Sequence, residues 1–130
     1  MIIGIVLAAS FPLMVTAAEN LPDAFAKIIL EKAGIRVGIC ELPQAGDGML
    51  ATALTQAGVA QVHALASAPA AADKARKPAA IAGVLGSHVI IETGTPEALP
   101  LSDWVADLYV VADATDVNLK TISATETVRV

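Results

Sequence analysis

The sequence predicts an α/β domain in which helices cover a parallel sheet. Four apolar segments of strand length alternate with segments of helical periodicity, and successive strands lie roughly 25 residues apart. The apolar content is 55%, mainly Ala, Val, Ile and Leu, and aromatic residues make up only 3%. This composition suits strands that are buried on both faces beneath helices rich in small residues. The 130 residues are enough for one domain with its own core.

Each predicted element follows from local spacing and from the residues that begin or end it. Apolar positions recur at helical spacing over residues 21–33, and a second helix is expected over residues 48–57. A third helix begins at Pro69, in the favoured first turn, and Pro78 is expected to kink or stop it. A fourth begins at Asp116 and continues to the end of the chain. The strands are predicted over residues 35–41, 59–65, 88–92 and 105–112.

Charge and residue spacing exclude several classes of function. The formal net charge is −5 and the largest basic cluster is Lys74, Arg76 and Lys77, which argues against a nucleic-acid partner. The single cysteine, Cys40, lies within the first predicted strand and is expected to be a small core residue. The spacing of His, Cys, Asp and Glu suggests no metal site, and no Ser/His/Asp order suggests nucleophilic catalysis.

The N-terminal residues 1–18 carry no charge and are predicted to be a secretory signal peptide. Small residues precede Glu19, so cleavage is expected after Ala17 or Ala18, although the basic residues of a signal peptide are missing. The alternatives are an uncleaved anchor and a buried core strand or helix. Cleavage would place the protein in the periplasm or outside the cell, with no stable membrane span; without a signal peptide it would be cytoplasmic.

Residues 37–54 pass from an apolar strand through Gly46-Asp47-Gly48 into an Ala/Leu-rich helix. Strand, glycine turn and helix in this order open a nucleotide-binding βαβ unit, because glycines allow close backbone approach and the helix N-terminus attracts anions. The alternative is a tight turn that binds nothing. A dinucleotide site is disfavoured, since the Gly-x-Gly-x-x-Gly spacing is absent.

Taken together, residues 21–130 resemble the class I S-adenosylmethionine-dependent methyltransferases. Residues 37–54 are similar to the family's first motif, in which a strand leads through Gly-x-Gly-x-Gly into a helix. Residues 62–65 resemble its second strand. Residues 94–111 resemble a segment that the family often writes as Gly-Asp-Ala-x-x-Leu-Pro, then Phe-Asp-Leu-Val. Residues 126–130 are similar to the start of its Glu-x-x-Arg-x-Leu-x-Pro-Gly-Gly region.

The resemblance implies a three-layer Rossmann-like parallel sheet of strand order 3-2-1-4, truncated before the remaining methyltransferase strands. It also implies S-adenosylmethionine as cofactor, but several anchors depart from the family pattern. Gln44 stands at the first glycine, Ala66 where an acid would bind the ribose, and Thr95 where an acid would hold the adenine amine. Losing two or three charged hydrogen bonds of about 1.5–3 kcal/mol would weaken binding on the order of 10²–10⁵-fold. The implied cofactor positions are Glu41, Gln44, Gly46, Asp47, Gly48, Ala66, Thr95 and Asp113.

Two of these positions have alternative roles. Glu41 replaces the motif's acid only if the loop has gained a residue. Asp113, at the end of the fourth predicted strand, is expected to cap the following loop or helix, and alternatively to act as a base or substrate anchor.

The function expected from these features is a degenerate methyltransferase-like domain that serves as a binding or scaffold module of an exported protein. The alternative is an active S-adenosylmethionine-dependent methyltransferase of unknown substrate. The combination of signal peptide and domain resembles the N-terminal part of some exported bacterial proteins in which a quinoprotein-like β-propeller follows. A C-terminal domain beyond Val130 is therefore an expected partner. Because the chain stops inside a helical pattern, the sequence is also expected to be an incomplete chain or a fragment of a longer one.

Overall fold

The computed structural model describes residues 3–6, 21–112 and 116–130. Five strands and five helices occur in these residues, and the strands form one parallel sheet. In chain order they are β1 (Ile3–Val6), α1 (Leu21–Ala33), β2 (Ile39–Leu42), α2 (Met49–Gln56), β3 (Gln61–Ala66), α3 (Pro69–Ile81), β4 (Val89–Thr93), β5 (Leu108–Val111), α4 (Asp116–Thr121) and α5 (Ala124–Arg129).

The sheet has the order β1-β5-β2-β3-β4, and every strand pair is parallel. The four strands that the sequence predicts are β2, β3, β4 and β5, and among themselves they have the order 3-2-1-4. The predicted Rossmann-like α/β fold is therefore confirmed. Strands β2, β3 and β5 are buried along nearly their whole length, as is usual for a parallel sheet covered on both faces.

Strand β1 lies beside β5 at one edge of the sheet, in a register that runs from Ile3 opposite Leu108 to Val6 opposite Val111. Four residues of the expected signal peptide thus have a place in the sheet, as in the core-strand alternative. The signal peptide stays a prediction, and its cleavage site at Ala17 or Ala18 lies outside the described residues.

Strands β2 and β5 begin later than the sequence predicts, because Asp107 and Gly38 end the connections that lead into them. The backbone N–H of Ile39 donates to Asp107 Oδ2 at 2.9 Å, and the N–H of Asp107 donates to the carbonyl of Ile39. Gly38 has a φ of 144°, and a Cβ there would overlap Asp107. The β2–β5 ladder therefore starts with Cys40 opposite Leu108, after this contact.

The helices differ from prediction at two places. Helix α3 continues three residues past Pro78, since proline removes one N–H only and the last turn is closed by bonds such as Ala82 N–H to the Pro78 carbonyl (3.0 Å). The predicted C-terminal helix is divided into α4 and α5. The division falls at Ser123, whose hydroxyl accepts a hydrogen bond from the N–H of Glu126 and caps α5.

Successive side chains along each strand point to opposite faces of the sheet, and a separate hydrophobic core lies on each face. Cys40, Val62 and Leu108 point to one face, where they pack against helices α1, α2 and α3. The neighbouring positions point to the opposite face, where Leu65, Tyr109 and Val111 pack with residues before β5 and with the C-terminal Val130. Glu41 and His63 point to this second face as well, since β2 and β3 pair in register with Glu41 opposite His63.

Arg129 connects the C-terminal helix to the segment that precedes β5. Its guanidinium donates to the carbonyl oxygens of Leu99 (3.0 Å) and Leu101 (2.8 Å) and pairs with Glu126 (2.8 Å) and Asp103 (2.7 Å). Hydrogen bonds from Arg129 and from the N–H of Leu99 lower the pKa of Glu126 to about 2. This planar, multiply bonded arrangement suits arginine and not lysine.

Arg129→Lys is therefore expected to free the segment before β5 while keeping the charge. Limited proteolysis at neutral pH should then cleave this segment several-fold faster than in the wild type, as followed by mass spectrometry of the fragments. Arg36→Lys, at an exposed position of the loop before β2, is the matched control. Equal cleavage rates in Arg129→Lys and wild type would show that the carbonyl contacts do not hold the segment.

Candidate functional site

The fold places a crevice at the carboxyl ends of β2 and β5, where the strand order of the sheet reverses. After β2 the chain passes to α2 on one face, and after β5 it passes to the C-terminal helices on the other. Such a switch point is where open α/β sheets bind ligands. Most of the implied cofactor positions lie in the loops that follow β2 and β4, so this end of the sheet is the candidate site.

The glycine loop after β2 is held mainly by its own backbone and by β3. The N–H of Ala45 donates to the carbonyl of Leu65 (2.6 Å), and the N–H of Gly48 donates to the carbonyl of Ala45 (3.0 Å). Asp47 Oδ1 accepts a hydrogen bond from the N–H of Met49 at the start of α2 (3.0 Å). Asp47 therefore forms an Asx turn just before the helix, whose N-cap is Gly48, and the side chain of Asp47 is exposed.

The surroundings of the two glycines in the loop differ, so the need for glycine has a different physical basis at each position. Gly48 has a φ of 82°, and a Cβ at this position would overlap the backbone carbonyl of Ala75 in α3. Close packing of α2 against α3 thus accounts for Gly48 without a ligand. Gly46 has a φ of 58°, but a Cβ there would meet no atom within 4 Å. The open space beside Gly46 is the part of the loop that a ligand could approach.

Three of the other implied cofactor positions lie at or after the carboxyl ends of β2, β3 and β4. Gln44 is partly buried, and within the described residues its buried Oε1 has no hydrogen-bond partner. Ala66 is buried at the end of β3, and its carbonyl accepts from the N–H of Gly94 after β4 (3.0 Å), which joins the two loops. Thr95 is exposed, and Asp113 lies outside the described residues. Their roles in cofactor binding stay predictions.

Glu41 belongs to a buried polar cluster that crosses three strands. Its Oε2 lies 2.6 Å from His63 Nδ1, and the other ring nitrogen, Nε2, lies 3.0 Å from Glu92 Oε2. Glu41 is fully buried and His63 is 5% exposed, whereas the side chain of Glu92 is 52% exposed. We call these three residues the Glu–His–Glu cluster. It extends from the centre of the sheet to its surface.

The cluster shifts the pKa values of Glu41 and His63. Burial raises the pKa of Glu41, an effect that the hydrogen bond and charge of His63 oppose and that the charge of Glu92 reinforces. For His63, burial acts to lower the pKa, but the hydrogen bonds and charges of Glu41 and Glu92 outweigh it and raise the pKa above its ordinary value. The cluster therefore holds protons more tightly than its separate groups would.

The cluster does not form a metal site, and within the described residues no group of His, Cys, Asp or Glu is placed to hold an ion. The two carboxylates bind opposite nitrogens of the imidazole ring, so they cannot converge on one ion. Tyr109, opposite Glu41 on β5, is also buried, and burial raises its pKa to about 12. It remains a neutral phenol at physiological pH.

Sequence reasoning did not identify this cluster. The alternation of β3 suggests that His63 faces solvent or is a satisfied buried histidine, and the second of these is correct. Glu92 gave no signal, because it looks like an exposed residue at a strand end. The contact depends on strand register, which places Glu41 opposite His63 and Glu92 two residues beyond the partner of His63.

No protein-family model matches the sequence, and no curated protein matches it. Solved structures do match. A candidate S-adenosyl-L-methionine-dependent methyltransferase from Methanococcus maripaludis has 27% identity and a TM-score of 0.67, covering 83% of this chain and 49% of that protein. A geranyl diphosphate methyltransferase solved in complex with S-adenosylmethionine has 19% identity and a TM-score of 0.59, covering 67% of this chain and 36% of that protein.

A third match, a candidate sarcosine dimethylglycine methyltransferase from Galdieria sulphuraria, has 21% identity and a TM-score of 0.55, covering 68% of this chain and 34% of that protein. The chain thus spans about half of the first protein's length and about a third of the other two. Among the residues that the structure describes, no helix is long and apolar enough to cross a membrane. Topology and structural neighbours together establish that this chain has the class I methyltransferase-like fold.

Proposed function

We propose that this chain is a degenerate S-adenosylmethionine-dependent methyltransferase-like domain that serves as a binding or scaffold module. The observation that carries the proposal is the position of Glu41. This residue is the acid nearest to the glycine loop on β2, and its carboxylate binds His63 inside the sheet at 2.6 Å. A carboxylate that is fully buried and held by an internal imidazole is not presented to a cofactor in the crevice.

Two further positions support loss of the cofactor. The methyl group of Ala66 cannot accept a hydrogen bond from ribose hydroxyls, and Thr95 places a neutral hydroxyl where the family pattern has an acid. Gly48, one of the two motif glycines that are retained, is needed for packing against Ala75. Its presence therefore does not require a cofactor.

An active methyltransferase is the second candidate, and Gln44 is the observation that favours it. Its buried amide oxygen lacks a partner among the described residues and lies in the glycine loop, where a bound ligand would satisfy it. Export of the module, and a following domain such as a β-propeller, are further parts of the first proposal. They depend on residues 1–18 and on the resemblance of the combination to exported bacterial proteins.

Calorimetric titration of S-adenosylmethionine and S-adenosylhomocysteine into the folded chain tests the proposal. We expect no heat of binding at millimolar ligand, whereas binding at micromolar concentration would overturn the degenerate assignment. Far-ultraviolet circular dichroism in the same buffer verifies that the protein is folded.

Ala66→Asp adds a sharper comparison, because it restores an acid at the ribose position. We expect weak binding to appear in this variant and not in Ser67→Asp, which adds the same charge at the next, exposed position. Equal binding in both variants would show that added charge, and not the ribose contact, attracts the cofactor.

A further inference from the structure

The Glu–His–Glu cluster contains more hydrogen-bond acceptors than a neutral histidine can serve. Both ring nitrogens of His63 lie within hydrogen-bond distance of carboxylate oxygens, at 2.6 and 3.0 Å. An ionised carboxylate only accepts hydrogen bonds, and a neutral imidazole has one N–H. Both contacts are satisfied only if the cluster holds one additional proton, either as an imidazolium between two carboxylates or on one of the carboxyl groups.

We infer that the Glu–His–Glu cluster is a proton-binding site that couples the stability of the sheet beside the crevice to pH. At neutral pH the bound proton allows His63 on β3 to hydrogen-bond both Glu41 on β2 and Glu92 on β4, which connects the three strands through their side chains. When the proton is lost at alkaline pH, one of the two carboxylates loses its donor. Glu41 is fully buried, so water cannot replace the lost contact without opening the structure.

The position of the cluster lets the proton exchange with solvent and links it to the candidate site. Glu92 is half exposed and forms the outer end, so protons reach His63 without global unfolding. Glu41 lies two residues before Pro43 at the entrance to the glycine loop, and Glu92 lies two residues before Gly94. Loosening the cluster therefore loosens the two loops that border the crevice.

The other ionisable groups near the cluster do not supply its proton. Tyr109 on β5 lies opposite Glu41 and is neutral, and Glu126 on α5 is paired with Arg129. The guanidinium of Arg76 on α3 is held by Asp73 and by the carbonyl of Ile91. The thiol of Cys40 points to the opposite face of the sheet, and burial raises its pKa.

The direction of the pH effect follows from linkage. The pKa values of Glu41 and His63 are both raised, so the folded state binds more protons than the unfolded chain. The stabilisation from His63 is fully present below its unfolded pKa, about 6.5, and is lost as pH rises through the higher folded value. The raised pKa of Glu41 acts in the same direction. Stability contributed by the cluster therefore falls as the solution becomes alkaline.

Urea denaturation of the full chain between pH 6 and pH 9 tests the inference. Because the folded state binds the cluster's proton more tightly than the unfolded chain does, we expect the equilibrium constant for unfolding to rise across this range. Glu41→Gln combined with His63→Gln removes both buried titrating groups, so its dependence on pH should be much weaker. His88→Gln, which replaces an exposed histidine, is the matched control and should keep the wild-type dependence.

Nuclear magnetic resonance of ¹⁵N-labelled histidine in the wild-type chain gives a readout that does not depend on how well a variant folds. We expect the titration midpoint of His63 to lie above the ordinary histidine value of about 6.5. A midpoint at or below that value would overturn the inference. So would a wild-type pH dependence that Glu41→Gln combined with His63→Gln leaves unchanged.

Discussion

Gly48→Ala is expected to destabilise the fold by about 2–5 kcal/mol, toward the upper end of this range. The new methyl group would overlap the carbonyl oxygen of Ala75, and a backbone atom in the middle of α3 cannot move aside as a flexible side chain can. The left-handed φ of 82° adds strain for any residue with a Cβ. Urea denaturation followed by circular dichroism measures the loss.

Gly46→Ala is the matched control, because it introduces the same methyl group two residues away in the same loop. Its φ is also positive, but the methyl group would enter open space. Only the backbone strain remains, about 1–2 kcal/mol. If the two variants lose the same stability, contact between α2 and α3 is not the reason for the glycine at position 48.

Removing one partner of the buried Glu41–His63 pair should have an effect of similar size. His63→Leu leaves a fully buried carboxylate without its imidazole, and breaking a buried pair in this way costs about 3–5 kcal/mol. Replacing both partners, as in Glu41→Met with His63→Leu, removes the unpaired charge and should recover most of the loss. A double-mutant cycle measured by urea denaturation at pH 6.5 gives the coupling directly.

The sign of the coupling is the decisive result. Recovery in the double variant would show that the cost in His63→Leu comes from the isolated charge and not from a cavity or from poor packing. Additive losses in Glu41→Met, His63→Leu and the double variant would contradict an interacting pair in the sheet.

The fold was predictable from the sequence because its signals are local. Apolar spacing in residues 21–33 gives the bounds of α1, and the regular alternation of strands and helices gives a parallel sheet. The division of the C-terminal helix was also encoded locally, in the capping pattern Ser123-Ala-Thr-Glu126, but the continuous apolar spacing concealed it.

The candidate site was less predictable, because its main contacts join residues that are far apart in the chain. The glycine turn and the absent ribose acid at Ala66 are visible in sequence, since each is a short motif position. The contact of His63 with Glu41 and Glu92 depends on the register of three strands, which alternation within one strand does not define. The clash between a Cβ at position 48 and the Ala75 carbonyl likewise depends on how closely α3 approaches α2.

The pairing of β1 with β5 sets the order in which the sheet can assemble during synthesis. Strands β2, β3 and β4 follow one another closely, but Ile3 pairs with Leu108, about 100 residues later. A ribosome that adds about 5–20 residues per second needs about 5–20 seconds to supply that partner. Throughout this interval β1 is synthesised but unpaired, so this edge of the sheet is completed only after β5 has been made.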